Sequence, residues 1–122
     1  MNNKGQSLVV FILTLPLLLI LGAFIVDNVY MTYKNIELRN VSKDIIKIDL
    51  KERKLSDEEI KKIYDKNNIP TKDLKIKKEE NKISLENQYY IDSIFGKIIG
   101  FKSYEVSASI TGELKDNKIV FK

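Results

Sequence analysis

Nineteen consecutive residues, Leu8 to Val26, carry no charge and only Thr14 as a polar side chain, and this run constrains the fold more than any other part of the 122-residue chain. As a helix rising about 1.5 Å per residue it covers roughly 28 Å, close to the ~30 Å hydrocarbon core of a bilayer. Leucine, isoleucine, valine and phenylalanine each favour insertion by roughly 0.3–0.6 kcal/mol near the helix centre, so the sum favours crossing by several kcal/mol. A soluble fold would have to wrap a helix that is apolar all round, and the roughly one hundred remaining residues are too few to do so. The run therefore predicts a transmembrane helix over 8–26. A cleaved secretory signal has a shorter apolar core followed by small residues, whereas here the helical pattern continues past Asp27.

Two residues inside the span bear on helix packing. Pro16 removes one backbone hydrogen bond and is expected to bend or loosen the helix unless the freed carbonyl finds a partner such as the Thr14 hydroxyl. Gly22 leaves room for close approach of a neighbouring helix. Asp27, at the end of the span, reads first as a locally solvated carboxylate, with capping, pairing with a lysine or contact with a partner as the alternatives. Lys4 precedes the span while Lys34, Arg39 and Lys43 follow it, so the distribution of basic residues leaves orientation undecided.

Beyond the span, Val29, Tyr30, Tyr33, Ile36, Val41, Ile45 and Ile48 recur at helical spacing and predict one helix continuing to about Leu50. Tyr30 and Tyr33 fit either an aromatic belt at the membrane surface or packing on the distal domain. Ser56 and Glu59 form a capping box, with Leu55 and Ile60 as its hydrophobic staple. Ile60, Ile63 and Tyr64 make the buried stripe of this second helix, and Asn67-Asn68-Ile69-Pro70 ends it. The period then changes to two. Leu74-Lys75-Ile76 predicts a short strand, Glu79 to Lys82 a turn, and Ile83 to about Tyr90 a second strand. Tyr104, Val106, Ala108 and Ile110 alternate with polar residues in a half-buried third, and Asp116-Asn117 turns into Ile119-Val120-Phe121. The apolar connection from Asp92 to Gly100 reads as core packing on the sheet or as a surface patch. The fold class is thus α+β: a long N-terminal helix, a short helix and a small antiparallel sheet of three to four strands. Its divisions are a leader at 1–7, the span at 8–26, a helical extension at 27–50 and a small α+β domain at 51–122.

The chemistry of the chain is sparse. Histidine and cysteine are both absent, which removes the commonest general base and metal ligand and leaves no thiolate to hold a metal. The pairs Glu58-Glu59 and Glu79-Glu80 are adjacent in sequence and expected in solvent, and no phosphate-binding glycine loop occurs. The net charge of +4 arises from 21 basic and 17 acidic residues that are interspersed, unlike the one-sided basic face of a nucleic-acid binder. No catalytic, metal or cofactor residues are expected, and neither nucleic acid nor a small-molecule substrate is expected as a partner.

One short constellation is more specific. Lys4-Gly5-Gln6-Ser7-Leu8-Val9-Val10-Phe11 places a basic residue and a glycine directly before the span, and resembles the leader of type IV pilin-like proteins, cut after the glycine by a membrane-embedded peptidase. Leu15-Pro16-Leu17-Leu18-Leu19, then Asp27 and a polar helix carrying Tyr33 and Asn40, is similar to the TadE/TadG family of pseudopilins. Ile83 to Tyr90, the following apolar connection, and Tyr104 to Gly112 resemble that family's carboxyl half. The resemblance implies Lys4, Gly5 and Gln6 as the recognition and cleavage site of a prepilin-type peptidase. It implies other pilin-like subunits and membrane lipid as partners, a single-pass location in the cell membrane, and an extracytoplasmic C-terminal domain. Val10 stands where the family usually carries glutamate, which implies a minor or tip subunit of a Tad or type IV-like apparatus, or a relative retained in the membrane. The competing expectation is an uncleaved signal anchor whose outer domain binds a ligand or regulates a membrane partner.

Overall fold

The computed structural model describes residues 3–95 and 103–122. One helix dominates it. Helix α1, Asn3–Lys47, runs unbroken through Pro16 and continues into a wider π turn, Ile48–Glu52. Together they are about 75 Å long at 1.5 Å per residue. Leu8, Leu13, Leu17 and Leu19 are all exposed, as is every residue of α1 from 4 to 22. It is long and apolar enough to cross a membrane. The Thr14 hydroxyl donates to the Val10 carbonyl at 2.5 Å, whereas the carbonyl deprived of a donor by Pro16 belongs to Ile12. The expected compensation by Thr14 therefore goes to a different carbonyl.

The π turn closes with Arg53 N–H donating to the Ile48 carbonyl at 2.9 Å. It tucks Asp49 inside, where its carboxylate accepts from the Leu55 amide at 2.9 Å and lies 3.5 Å from the Lys78 ammonium. Lys78 also donates to the Leu55 carbonyl. These contacts fix the chain direction into helix α2, Asp57–Lys66, whose capping box and staple form as the sequence predicts: Ser56 and Glu59 satisfy each other's backbone, and Leu55 and Ile60 are buried. Arg53 adds a 2.5 Å hydrogen bond to Glu59 and, as the leading cause, holds that carboxyl below the ordinary glutamate range. Tyr64 is buried and its hydroxyl meets Ser42 of α1 at 2.7 Å, tying the two helices together.

Four strands follow: β1 Lys75–Glu79, β2 Lys82–Asp92, β3 Ser103–Lys115 and β4 Lys118–Phe121. They form one antiparallel sheet in the order β1-β2-β3-β4. Asp116 and Asn117 adopt positive φ in the last turn, a conformation that asparagine and aspartate tolerate better than most residues. Ile83, Leu85, Tyr89, Ile91, Val106, Ala108 and Ile110 face α1, and Leu38, Ile45 and Ile46 of the helix complete the core. The predicted α+β class is what the structure shows. One expected feature differs. The helical stripe from Val29 to Ile48 does not lie on one buried face: Tyr30, Val41, Ile45 and Ile48 pack on the core, while Val29, Tyr33 and Ile36 are exposed. Of the apolar connection, Gly96 to Gly100 lies outside the described residues.

Tyr89 offers a test of this packing. Its burial in the helix–sheet core, with the Glu37 carboxylate and Tyr30 nearby, pushes its pKa up to about 12. A tyrosine whose folded pKa exceeds the unfolded value of about 10 contributes stability that is whole below pH 10 and is lost as pH rises toward 12. Tyr89→Phe should therefore lose less stability than the native protein across that window in thermal melts. Parallel losses would mean that Tyr89 ionises without opposing the fold.

Candidate functional site

Lys4, Gly5 and Gln6 lie in the first turns of α1, exposed and immediately before the span. A Cβ built on Gly5 meets nothing within 4 Å among the described residues. Glycine in a helix costs about 1 kcal/mol relative to alanine, and here packing does not require it. Gly22 is equally open, so a second helix can approach its backbone. These leader and packing residues occupy one continuous helix, on which Pro16 and Gly22 border one open groove while Lys4 and Gly5 lie well before it.

What α1 builds instead is two opposed faces. Asp27, Met31, Asn35, Leu38, Ser42, Ile45 and Asp49 recur every three or four residues and face the sheet and α2. Asn35 accepts from the Ser107 amide at 3.2 Å, and the others lie in or against the core. On the opposite side Val29, Tyr33 and Ile36 are 63%, 58% and 51% exposed and border a shallow apolar groove. Stepping back by three and four residues from Val29 leads to Ile25, Gly22, Leu18, Leu15 and Phe11. The uncovered stripe thus prolongs one face of the apolar span for about two turns past its end. Lys34 flanks it, its ammonium 5.7 Å from the Tyr30 ring and 5.9 Å from the Tyr33 ring. Tyr30 packs against the core and Tyr33 is exposed, so packing on the distal domain holds for Tyr30 and not for Tyr33.

Asp27 is the second feature of the site, and the structure corrects the expectation that it is solvated: it is fully buried. Its carboxylate accepts from the Ser93 hydroxyl at 2.5 Å, the Ile94 amide at 2.8 Å and the Phe95 amide at 3.3 Å. Burial by itself pushes the Asp27 pKa up, but these donors, joined by the Tyr104 hydroxyl, outweigh it and hold the carboxyl below the ordinary aspartate value. The contact fastens the end of β2 to the end of the apolar span. Sequence reasoning missed it because the partners lie more than sixty residues apart in the chain.

Among the described residues no three histidine, cysteine, aspartate or glutamate side chains converge to hold a metal ion. No family model matches the chain, and comparison with curated proteins and with solved structures finds no match either. The geometry itself, a long apolar N-terminal helix packed on a four-stranded antiparallel sheet, is a type IV pilin-like architecture.

Proposed function

We propose that the chain is a minor pilin-like subunit of a bacterial Tad or type IV-like pilus or secretion apparatus, with a structural role and no chemistry of its own. The observation that carries this reading is the apolar stripe of Val29, Tyr33 and Ile36, left uncovered on the face of α1 opposite the sheet. A monomer anchored only to hold a soluble domain gains nothing from exposing these side chains to water, whereas packing beside like helices buries them along with one face of the span. Gly5 has no packing reason among the described residues, which supports a role for it in processing. On this reading Leu8 to Val26 holds the subunit in the cell membrane, the sheet domain lies outside the cytoplasm, and Pro16 and Gly22 adapt the helix to its neighbours.

The test is the N-terminal mass of the protein taken from its native membrane. The expected result is loss of residues 1–5, with the full-length terminus restored by Gly5→Ala and the fold of the sheet domain unchanged. A native protein that retains Met1, indifferent to the substitution, would leave an uncleaved signal anchor and remove the pilin assignment.

A further inference from the structure

We infer that Ile94 and Phe95, just past the end of β2, are a second membrane contact: they rest among lipid acyl chains beside the spanning helix, fastened there by Asp27. The inference depends on residues 8–26 spanning a membrane, as proposed above.

Position gives the first argument. Asp27 follows the last residue of the span, and its carboxylate accepts hydrogen bonds from the backbone of Ile94 and Phe95. Ile94 and Phe95 are therefore level with the final turn of the span. Phe95 does not turn back into the sheet core. It borders an open apolar groove of about 640 Å³ together with Leu19, Gly22, Ala23 and Val26. Leu19 lies about 10 Å deeper along the helix than Val26 at 1.5 Å per residue, so the groove opens at acyl-chain depth. Ile94 is 52% exposed at the same level.

Polar satisfaction gives the second. Non-helical backbone at the edge of a hydrocarbon layer is costly unless its donors are met. Here the Ile94 and Phe95 amides and the Ser93 hydroxyl all end on Asp27, whose own charge is thereby fully hydrogen-bonded and screened from lipid. The arrangement leaves apolar side chains outward and polar groups inward, the pattern lipid requires and water does not. The groove shares its edge, Leu18 and Gly22, with the stripe that leads back from Val29, but Leu19, Ala23, Val26 and Phe95 lie toward the sheet side of α1, and there the occupant is lipid and not a second copy.

The absence of cysteine makes the test direct. Single spin labels would be placed by Ile94→Cys, by Ile20→Cys in the span and by Ser109→Cys on an exposed part of β3, each in the full chain reconstituted in phosphatidylethanolamine–phosphatidylglycerol vesicles. Collision with oxygen, which concentrates in lipid, would be compared with collision with a water-soluble nickel chelate. The label at 94 should resemble the one at 20 and exceed the one at 109 several-fold in its oxygen-to-nickel ratio. Asp27→Asn, or the milder Ser93→Ala, should move 94 toward the aqueous value and leave 20 unchanged. A lipid-exposed 20 with an aqueous 94 would overturn the second contact alone. A label at 94 shielded from both reagents would place a protein partner there and overturn it as well. An aqueous 20 would remove the span, and the inference with it.

Discussion

Valine in place of Gly112 should lower the unfolding free energy by about 3 kcal/mol, the upper part of the range for forcing extra methyl groups into a packed core. Gly112 lies in β3 opposite Ile83 and Phe121, at the point where the sheet crosses the far end of α1. A Cβ there would collide with Cγ2 of Ile46 and come within 3.5 Å of Ile119 and Leu50 side-chain carbons. Ile46 is fully buried and β-branched, so its methyl has few rotamers to escape into. Only moving the helix off the sheet relieves the clash. Ile46→Ala by itself should cost about 2–5 kcal/mol through the cavity it leaves. Combined with Gly112→Val it should cost less than the sum, by about 0.5–3 kcal/mol, because each change answers the other. Urea unfolding in mild detergent, followed by circular dichroism, measures all three. Strict additivity would mean that helix and strand do not meet at this point.

Glutamate at both Tyr33 and Ile36 should abolish subunit association while changing the stability of the isolated subunit by no more than about 0.5 kcal/mol. Both side chains are exposed in the monomer, so their replacement removes little packing from the fold. In a helix-to-helix contact the same carboxylates would be buried against an apolar neighbour without a partner, a cost of several kcal/mol at each copy of the interface. The readout is the size of the native complex extracted from membranes, alongside the thermal melt of the purified subunit. A complex of unchanged size would show that this stripe is not the assembly seam and would remove the chief support for a pilin-like role. Loss of both assembly and fold would mean that the stripe packs on its own domain.

The features legible in the sequence were those whose cause is local. Ser56 and Glu59 sit three residues apart, and their reciprocal hydrogen bonds need nothing from the rest of the chain. The alternation from Tyr104 to Thr111 gives a strand because one side of it meets the core, and no other period fits. The apolar span declares itself by length alone. The burial of α1 was less legible, because apolar residues fall on both of its sides. Tyr30 and Ile45 read the same as Tyr33 and Ile36 until the sheet selects one face. Asp27 and Gly112 were illegible for the same reason at longer range. A carboxylate after an apolar run reads as solvated, and nothing local marks Gly112 as the place where a helix crosses the strand. Only the arrival of Ser93 in one case and Ile46 in the other gives each its role.

The sheet order has a consequence for biogenesis. Each strand is hydrogen-bonded to the one that leaves the ribosome just before it, so no segment waits for a distant partner and no loop has to be threaded. The helix is already complete when the first strand appears and acts as the template on which the hairpins condense. Pairing within the sheet closes short loops at small entropic cost, whereas seating the sheet on the helix closes long ones. The sheet is thus expected to pair before it seats on the helix. Until docking ends, the inner face of the sheet is the surface that a chaperone at the membrane would have to guard.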